Sequence, residues 1–562
     1  MLNVLNRRVL IGVALLLLVV GALVVHAQRL DNSWVKSADL LKGLEESSQW
    51  LSYHGDYTGR RHSPLTQITP QNVHQLTAQW TFQTDTPGKF EATPLLYDGV
   101  LYFTGPTPDT GWAVDARSGR QIWRYRRETP SDVIVCCGLV NTGFGMLGDR
   151  LFKAVSDARI VALSAKTGSV VWEATMADYR KGYSATRAPL VVGNKVIIGM
   201  AGAEYGVRGF VDAYDAESGT RVWRFYTTAG PDDTGHSTWA GTDRNAWQYG
   251  GGSTWMTGTY DAEQKLVFWG TGNAGPDYDG RNREGDNLYT ASLLALDVET
   301  GTRRWHYQYT PHDTFDYDAV QIPVLADLTI NGARRKAIMV ANRNGFFYTL
   351  DRTTGKVIVA KPIVHTTWAK EIDAAGRPIQ VPGSAPTEAG TRVCPQVGPN
   401  WESPSFDPSR GLFFAIVREG CGKFFRWAVE YRAGESFRGG VPQRSAGDDV
   451  ENYMALRAID PTTGEIRWDH RFTTNSGAGV LSTASGVLFT GSASSLVAME
   501  SNTGRTLWGY QTGGNIGSAP ITYMLDGRQY VIIASGTTLT AFALPATAAQ
   551  AFEQQDLHQV RF

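Results

Sequence analysis

The chain has 562 residues, 53 Lys+Arg against 54 Asp+Glu, and 42% hydrophobic content. A net charge of −1 and the lack of any long like-charge run leave no basic surplus for a phosphate backbone, which argues against nucleic acid as a partner. The 61 Gly, 17 Trp, 23 Tyr and 22 Phe in a chain only 19% charged predict tight turns joining short aromatic-rich strands, an all-β protein, and exclude disorder and coiled coil.

At the N-terminus Arg7 and Arg8 precede an apolar run of 17 residues, Val9 to Val25, and Val25-His26-Ala27 places small residues where a signal peptidase cuts. Residues 1–27 read as an export signal, with an uncleaved anchor as the alternative, because 17 residues is at the lower edge of a bilayer span. Under either reading the positive flank stays inside and the remainder lies outside the cytoplasm, in the periplasm. Membrane association is expected only if the segment is kept.

Beyond it one pattern recurs: small residue, x, Asp, x, x, Thr/Ser, Gly, then Trp four residues later. Copies run from Ala113 to Trp123, Ala162 to Trp172, Ala213 to Trp223, Ala295 to Trp305, Ala458 to Trp468 and Ala498 to Trp508; Ser164 and Glu500 replace the Asp in two of them. A degenerate copy from Thr349 to Val359 lacks its Trp, and Trp80 ends a similar strand, giving eight candidate units. Each reads as a strand ending in Asp, a turn whose Gly supplies φ > 0, and a returning strand carrying an aromatic. Successive aromatic positions fall 43, 49, 51, 82, 54, 109 and 40 residues apart, so the shorter spacings suit a four-stranded propeller blade and the two long ones hold insertions. The repeated Trp and Asp are structural, since stacked repeats must bury faces they cannot bury alone.

This hairpin resembles the tryptophan-docking motif of pyrroloquinoline quinone (PQQ) dehydrogenases, and the resemblance implies an eight-bladed β-propeller over residues 49–545. Residues 28–48 form a lead-in and 546–562 a tail. Similar repeats occur in non-catalytic propellers that scaffold outer-membrane assembly, so the site residues must decide function.

Taken in chain order, Glu91 in Phe90-Glu91-Ala92 resembles a polar contact of the quinone. Cys136 and Cys137 are adjacent, and a bond between neighbours closes a strained eight-membered ring. An oxidising compartment favours the Cys136–Cys137 disulfide, which resembles the vicinal disulfide covering one face of PQQ in methanol and ethanol dehydrogenases. Ser156 and Ser253 occupy plausible hydroxyl positions, and Trp255 in Gly251-Gly252-Ser253-Thr254-Trp255 resembles the flat partner of the opposite quinone face.

Gly202-Ala203-Glu204, Gly270-Thr271-Gly272-Asn273 and His312 to Asp318 offer oxygen ligands for a hard cation. By resemblance Glu204 and Asn273 hold the metal, Asp316 joins them and is the general base, and the metal polarises the quinone carbonyl that takes the hydride. Asp318 bears on which metal: calcium methanol dehydrogenases have Ala here and lanthanide ones Asp, while Asp-x-Asp also resembles some calcium- or magnesium-using sugar dehydrogenases. The expected ion is a lanthanide or Ca²⁺. Arg343 in Asn342-Arg343-Asn344-Gly345 resembles the Arg that pairs with the base and a quinone oxygen, and Asn400 resembles a further donor to PQQ. Cys394 and Cys421 are the two cysteines left over and are expected to pair as a structural disulfide.

Three positions depart from the family. Thr142 stands where relatives have Arg five residues past the Cys pair, Ala201 replaces a Ser, and Gly477 lies where many have Trp. An Arg lost from the quinone carboxylates weakens cofactor binding or shifts the job elsewhere. The resemblance implies PQQ-dependent oxidation of an alcohol to an aldehyde. No Cys-x-x-Cys-His occurs, so electrons pass to a separate c-type cytochrome or quinone. A sugar or polyol dehydrogenase and a non-catalytic scaffold are the alternatives.

Overall fold

A computed structural model describes residues 34–105, 109–444, 450–474 and 477–546. The expected export signal, the first part of the lead-in and nearly all of the tail lie outside these residues. No helix among the described residues is long and apolar enough to cross a membrane.

The fold is all-β, as the composition predicts. Seven four-stranded antiparallel sheets form, five of them from consecutive strands, and an eighth gains a fifth strand through parallel pairing of His62–Ser63 with Leu481–Thr483. Their number matches the eight repeats. One sheet joins the two ends of the chain: Thr77–Gln83 pairs with Thr538–Ala543, itself beside Arg528–Ser535 and Ile521–Leu525. Such pairing ties an early strand to the last, so opening the fold requires breaking a full strand ladder.

Inner strands are buried on both faces, as in Lys195–Gly199 and Leu266–Gly270, whereas the outermost strand alternates in Val170–Thr175. The repeat explains how the sheets meet. In the turn after Thr110–Asp115, Asp115 accepts from the backbone N–H of Arg117 and Ser118, and Gly119 turns with φ 70°. The Trp of one sheet then lies over the turn Gly of the next. Trp123 covers Gly168 and donates to the Ala165 carbonyl at 2.8 Å, and Trp80, Trp172, Trp223 and Trp468 repeat the arrangement on the carbonyls of Ala116, Ala216, Val298 and Ser501. These residues are docking plugs.

The two long gaps hold the expected insertions. After Arg221–Tyr226 come two short 3₁₀ turns, Thr234–Thr238 and Ala246–Tyr249. After Val357–Pro362 come a two-stranded sheet and a three-stranded sheet, Thr391–Val393 with Gly422–Arg426 and Gly440–Arg444. The Cys394–Cys421 disulfide forms as expected and ties this second insertion.

Candidate active site

Loops from several sheets and both insertions enclose a cavity of about 780 Å³. Glu91, Cys136, Cys137, Glu204, Ser253, Trp255, Asp316, Asp318, Arg343 and Asn400, far apart in sequence, all line it.

The segment from His312 to Asp318 is shaped from within. Buried Asp313 accepts from the backbone N–H of Phe315 (2.9 Å) and Tyr317 (2.7 Å), which winds the loop so that Asp316 and Asp318 both reach the cavity. The winding forces Asp316 to φ 59°, a left-handed conformation costly for a non-Gly residue and typical of functional sites. Asp316 Oδ2 accepts from the Tyr278 hydroxyl at 3.0 Å and from Arg343 at 3.2 Å, with Arg438 at 3.7 Å. Asp318 accepts from the Asn273 backbone N–H (3.2 Å), the Trp255 indole N–H (3.1 Å) and Arg343 (3.1 Å). Gly272 is required beside it, because a Cβ there would run into Asp318 Oδ1 and lie 2.7 Å from Ser253 Oγ.

Arg343 therefore bridges the two carboxylates. Burial opposes its charge, and Asp316 and Asp318 overcome that opposition and hold its pKa above the usual value. Burial, opposed by Arg343 and reinforced by Asp316 and Glu204, pushes Asp318 up to about 8. Asn273 spends its side-chain N–H groups on Asp277 Oδ1 (2.9 Å) and the Ala274 carbonyl (3.1 Å), which leaves Oδ1 to act as a ligand. The Cys136 thiol is raised by its hydrogen bond to Cys137, then by burial, and also faces Glu204.

The Cys136 and Cys137 Sγ atoms lie 2.7 Å apart, inside ordinary sulfur contact and short of a closed ring. A bond would need about 2.05 Å between neighbours whose Cα atoms are held at about 3.8 Å by a trans peptide, so the last step of approach carries strain. Ser156 does not join the cavity: it is buried at the turn between Arg150–Val155 and Arg159–Ser164, and its hydroxyl donates to Asp109 at 3.0 Å.

The sequence reading missed four groups. Asp277 is buried four residues past Asn273, and Arg438, from the second insertion, pairs with it at 3.2 Å. Burial, reinforced by Asp316 and Glu204 and opposed by Arg438, raises the Asp277 carboxyl well above the usual range. Arg187 and Trp401 also line the cavity. Asp277 and Trp401 had a local signal, their nearness to Asn273 and to Asn400; the two Arg are placed by folding alone.

The site fits a planar polyacid and a hard cation. Glu204, Asp277, Asp316 and Asp318 crowd together, and burial raises the Asp277 and Asp318 carboxyls, a cost that an oxygen-ligated cation relieves. Arg343 Nε, Arg187 Nε and Asn400 Oδ1 are buried without partners among the described residues, as groups poised for a ligand would be.

Comparison with known proteins agrees. The family model described as glucose/ethanol/alcohol dehydrogenase, beta-propeller domain, matches residues 50–393 and 452–531. The quinohemoprotein alcohol dehydrogenase ADH IIB of Pseudomonas putida is 39% identical over 89% of this chain and 76% of its own length. The quinoprotein alcohol dehydrogenase PedH of Pseudomonas putida is 36% identical over 94% of this chain and 92% of its own. A solved europium-containing methanol dehydrogenase superposes with a TM-score of 0.85 at 31% identity, covering 90% of this chain and all of that one. With a matched propeller model, close relatives along nearly its whole length and the site just described, the chain belongs to the PQQ-dependent alcohol dehydrogenase family.

Proposed function

We propose that this chain oxidises a small-molecule alcohol to an aldehyde with PQQ and one metal ion, and passes the electrons to a separate c-type cytochrome or quinone. The observation that carries the reading is Asp316, held at φ 59° and bound by Arg343 and Tyr278 inside a cavity bordered by Trp255 and the Cys136–Cys137 pair. When bound, the quinone supplies a two-electron acceptor and the metal a Lewis acid.

The chain's own residues do the rest. Trp255 offers a flat face and the Cys pair a second wall, while Ser253 and Asn400 offer hydrogen bonds at the edge. Glu204, Asn273, Asp316 and Asp318 hold the metal. The Asp316 carboxylate takes the alcohol proton, and Arg343, with one N–H on each Asp, fixes that carboxylate and places positive charge where negative charge develops. A lanthanide is the proposed ion, because Asp318 adds a carboxylate suited to a trivalent charge and a europium-containing methanol dehydrogenase shares the fold. The periplasm is the proposed compartment, supported by Arg7, Arg8 and the apolar run that follows.

The test is dye-linked alcohol oxidation by metal-stripped protein refilled with PQQ and either Ca²⁺ or La³⁺. The expected result is activity with La³⁺ that is absent in Asp316→Asn and lost in Asp318→Ala. Activity with Ca²⁺ alone removes the lanthanide assignment, and failure of PQQ to bind with either metal overturns the enzyme reading.

A further inference from the structure

Arg187 is about nine-tenths buried, at 9% exposure, and lines the cavity. Its guanidinium carbon stands 5.2 Å from the ring centroids of both Trp255 and Trp401, so it packs against both indoles. Among the described residues its five N–H donors make a single long contact, from Nη1 to Glu91 Oε2 at 3.4 Å. Nε has no partner among the described residues. A buried guanidinium with so little of its fork satisfied is costly unless a planar anion meets it, and a carboxylate is the group that matches its geometry.

Its place in the fold explains where it came from. The Thr142 N–H donates to the Thr186 carbonyl at 3.1 Å, and the Thr142 hydroxyl accepts from the Ala188 N–H at 3.0 Å. Positions 142 and 187 therefore lie side by side on neighbouring sheets. Thr142 is fully buried and offers no charge, and a guanidinium enters the same corner from the next sheet over.

We propose that Arg187 is the cofactor-binding cation of this chain, pairing through its planar fork with a ring carboxylate of the quinone and so determining cofactor affinity. The inference rests on the PQQ reading above and adds a residue to it. Glu91 then orients the guanidinium and is not itself the group that meets the cofactor's charge.

The experiment is equilibrium dialysis against PQQ and against its trimethyl ester, which keeps the rings and removes the carboxylate charge. Wild type, Arg187→Gln and Arg187→Lys are compared at saturating La³⁺, with near-ultraviolet circular dichroism to check the fold. The quantity read is the preference for acid over ester, in which effects common to both ligands cancel. Arg187→Gln should reduce that preference roughly 10- to 100-fold, the size of a charged hydrogen-bonded pair. Arg187→Lys keeps the charge without the fork and should reduce it by a smaller factor, roughly 3- to 10-fold. An unchanged preference, or equal weakening of acid and ester, overturns the proposal and assigns Arg187 to packing between the two Trp. If Arg187→Gln does not fold, the lysine variant carries the test alone, and an unchanged preference in it is the overturning result. Wild type that binds neither ligand sinks the PQQ reading itself, an outcome distinct from failure of the variants.

Discussion

Metal binding should expel protons, and the number can be worked out from the site. Asp318 is buried, and in the metal-free site burial and its carboxylate neighbours push it up to about 8. At pH 7 such a group holds about 0.9 of a proton and at pH 9 about 0.1. A cation ligated by its carboxylate needs the ionised form, so binding should release about 0.9 of a proton from this side chain at pH 7 and about 0.1 at pH 9. Asp318→Asn removes that release while leaving the contribution of Asp277. The assay is calorimetric titration with La³⁺ in two buffers of different ionisation enthalpy, at concentrations that saturate both proteins, and the difference between wild type and variant is the proton count sought. The linked stability has a definite sign. The folded pKa lies above the unfolded value of 3.8, so the metal-free protein has its full stability from this group below about pH 3.8 and loses it as pH rises through about 8. The slope is at most about 1.4 kcal/mol per pH unit, and Asp318→Asn should flatten it. Equal proton release by wild type and variant at pH 7 would refute the argument that the site stores protons in place of a cation.

Further expectations concern the scaffold. Trp123→Ala should destabilise by about 3–5 kcal/mol in urea unfolding, because it empties a docking site and orphans the Ala165 carbonyl. Gly168→Ala should also destabilise, since it places a Cβ at 2.7 Å from the Trp123 ring on a backbone with φ 72°; a variant as stable as wild type would remove the docking account. His54 is buried, and burial, helped by Arg61, lowers its pKa to about 3. Because the folded value is depressed, its contribution is full above about pH 6.5 and is lost as pH falls through about 3, so an acid unfolding profile should flatten between these values in His54→Phe.

The propeller was legible because its periodicity is written in single residues. Asp, Gly and Trp recur at fixed offsets for three local reasons, a side chain that caps a turn, a backbone at positive φ, and a ring that covers that turn from the next sheet, so each copy predicts its own hairpin. Much of the site was legible too, since Glu204, Asn273, Asp316 and Asp318 sit in short segments whose order follows the chain. Ser156 misled because a hydroxyl beside a strand end reads the same whether it faces a cavity or a neighbouring carboxylate, and Asp109 claims it here. Arg438 comes from an insertion with no repeat to align it, and Arg187 differs from a surface Arg only through Trp255 and Trp401, which approach it in three dimensions. The sequence held the departure at Thr142, but not the side chain that answers it.

The charges of the cavity connect these residues into one argument. Glu204, Asp277, Asp316 and Asp318 gather where Arg343 and Arg438 are the guanidiniums that pair with the aspartates, so the carboxylates outnumber their cations. The fold could remove the excess by losing a carboxylate, and an Ala at position 318 would do so. Instead Gly272 leaves room for Asp318, Trp255 donates to it, and Arg343 divides its fork between it and Asp316. Each of these is an arrangement that keeps an otherwise unfavourable negative group in place. A buried carboxylate retained at such cost serves to hold a cation, and the more carboxylates are retained, the higher the charge of the ion that balances them. In the same cavity Glu91 and Arg187 meet through one long contact, so the fork remains open to an acid. The site thus holds two opposite kinds of group: a carboxylate cluster with fewer cations than carboxylates, and a guanidinium met by one long carboxylate contact. A planar polyacid that also ligates a metal satisfies both at once, which is the physical reason this cavity suits a quinone cofactor better than a neutral sugar alone.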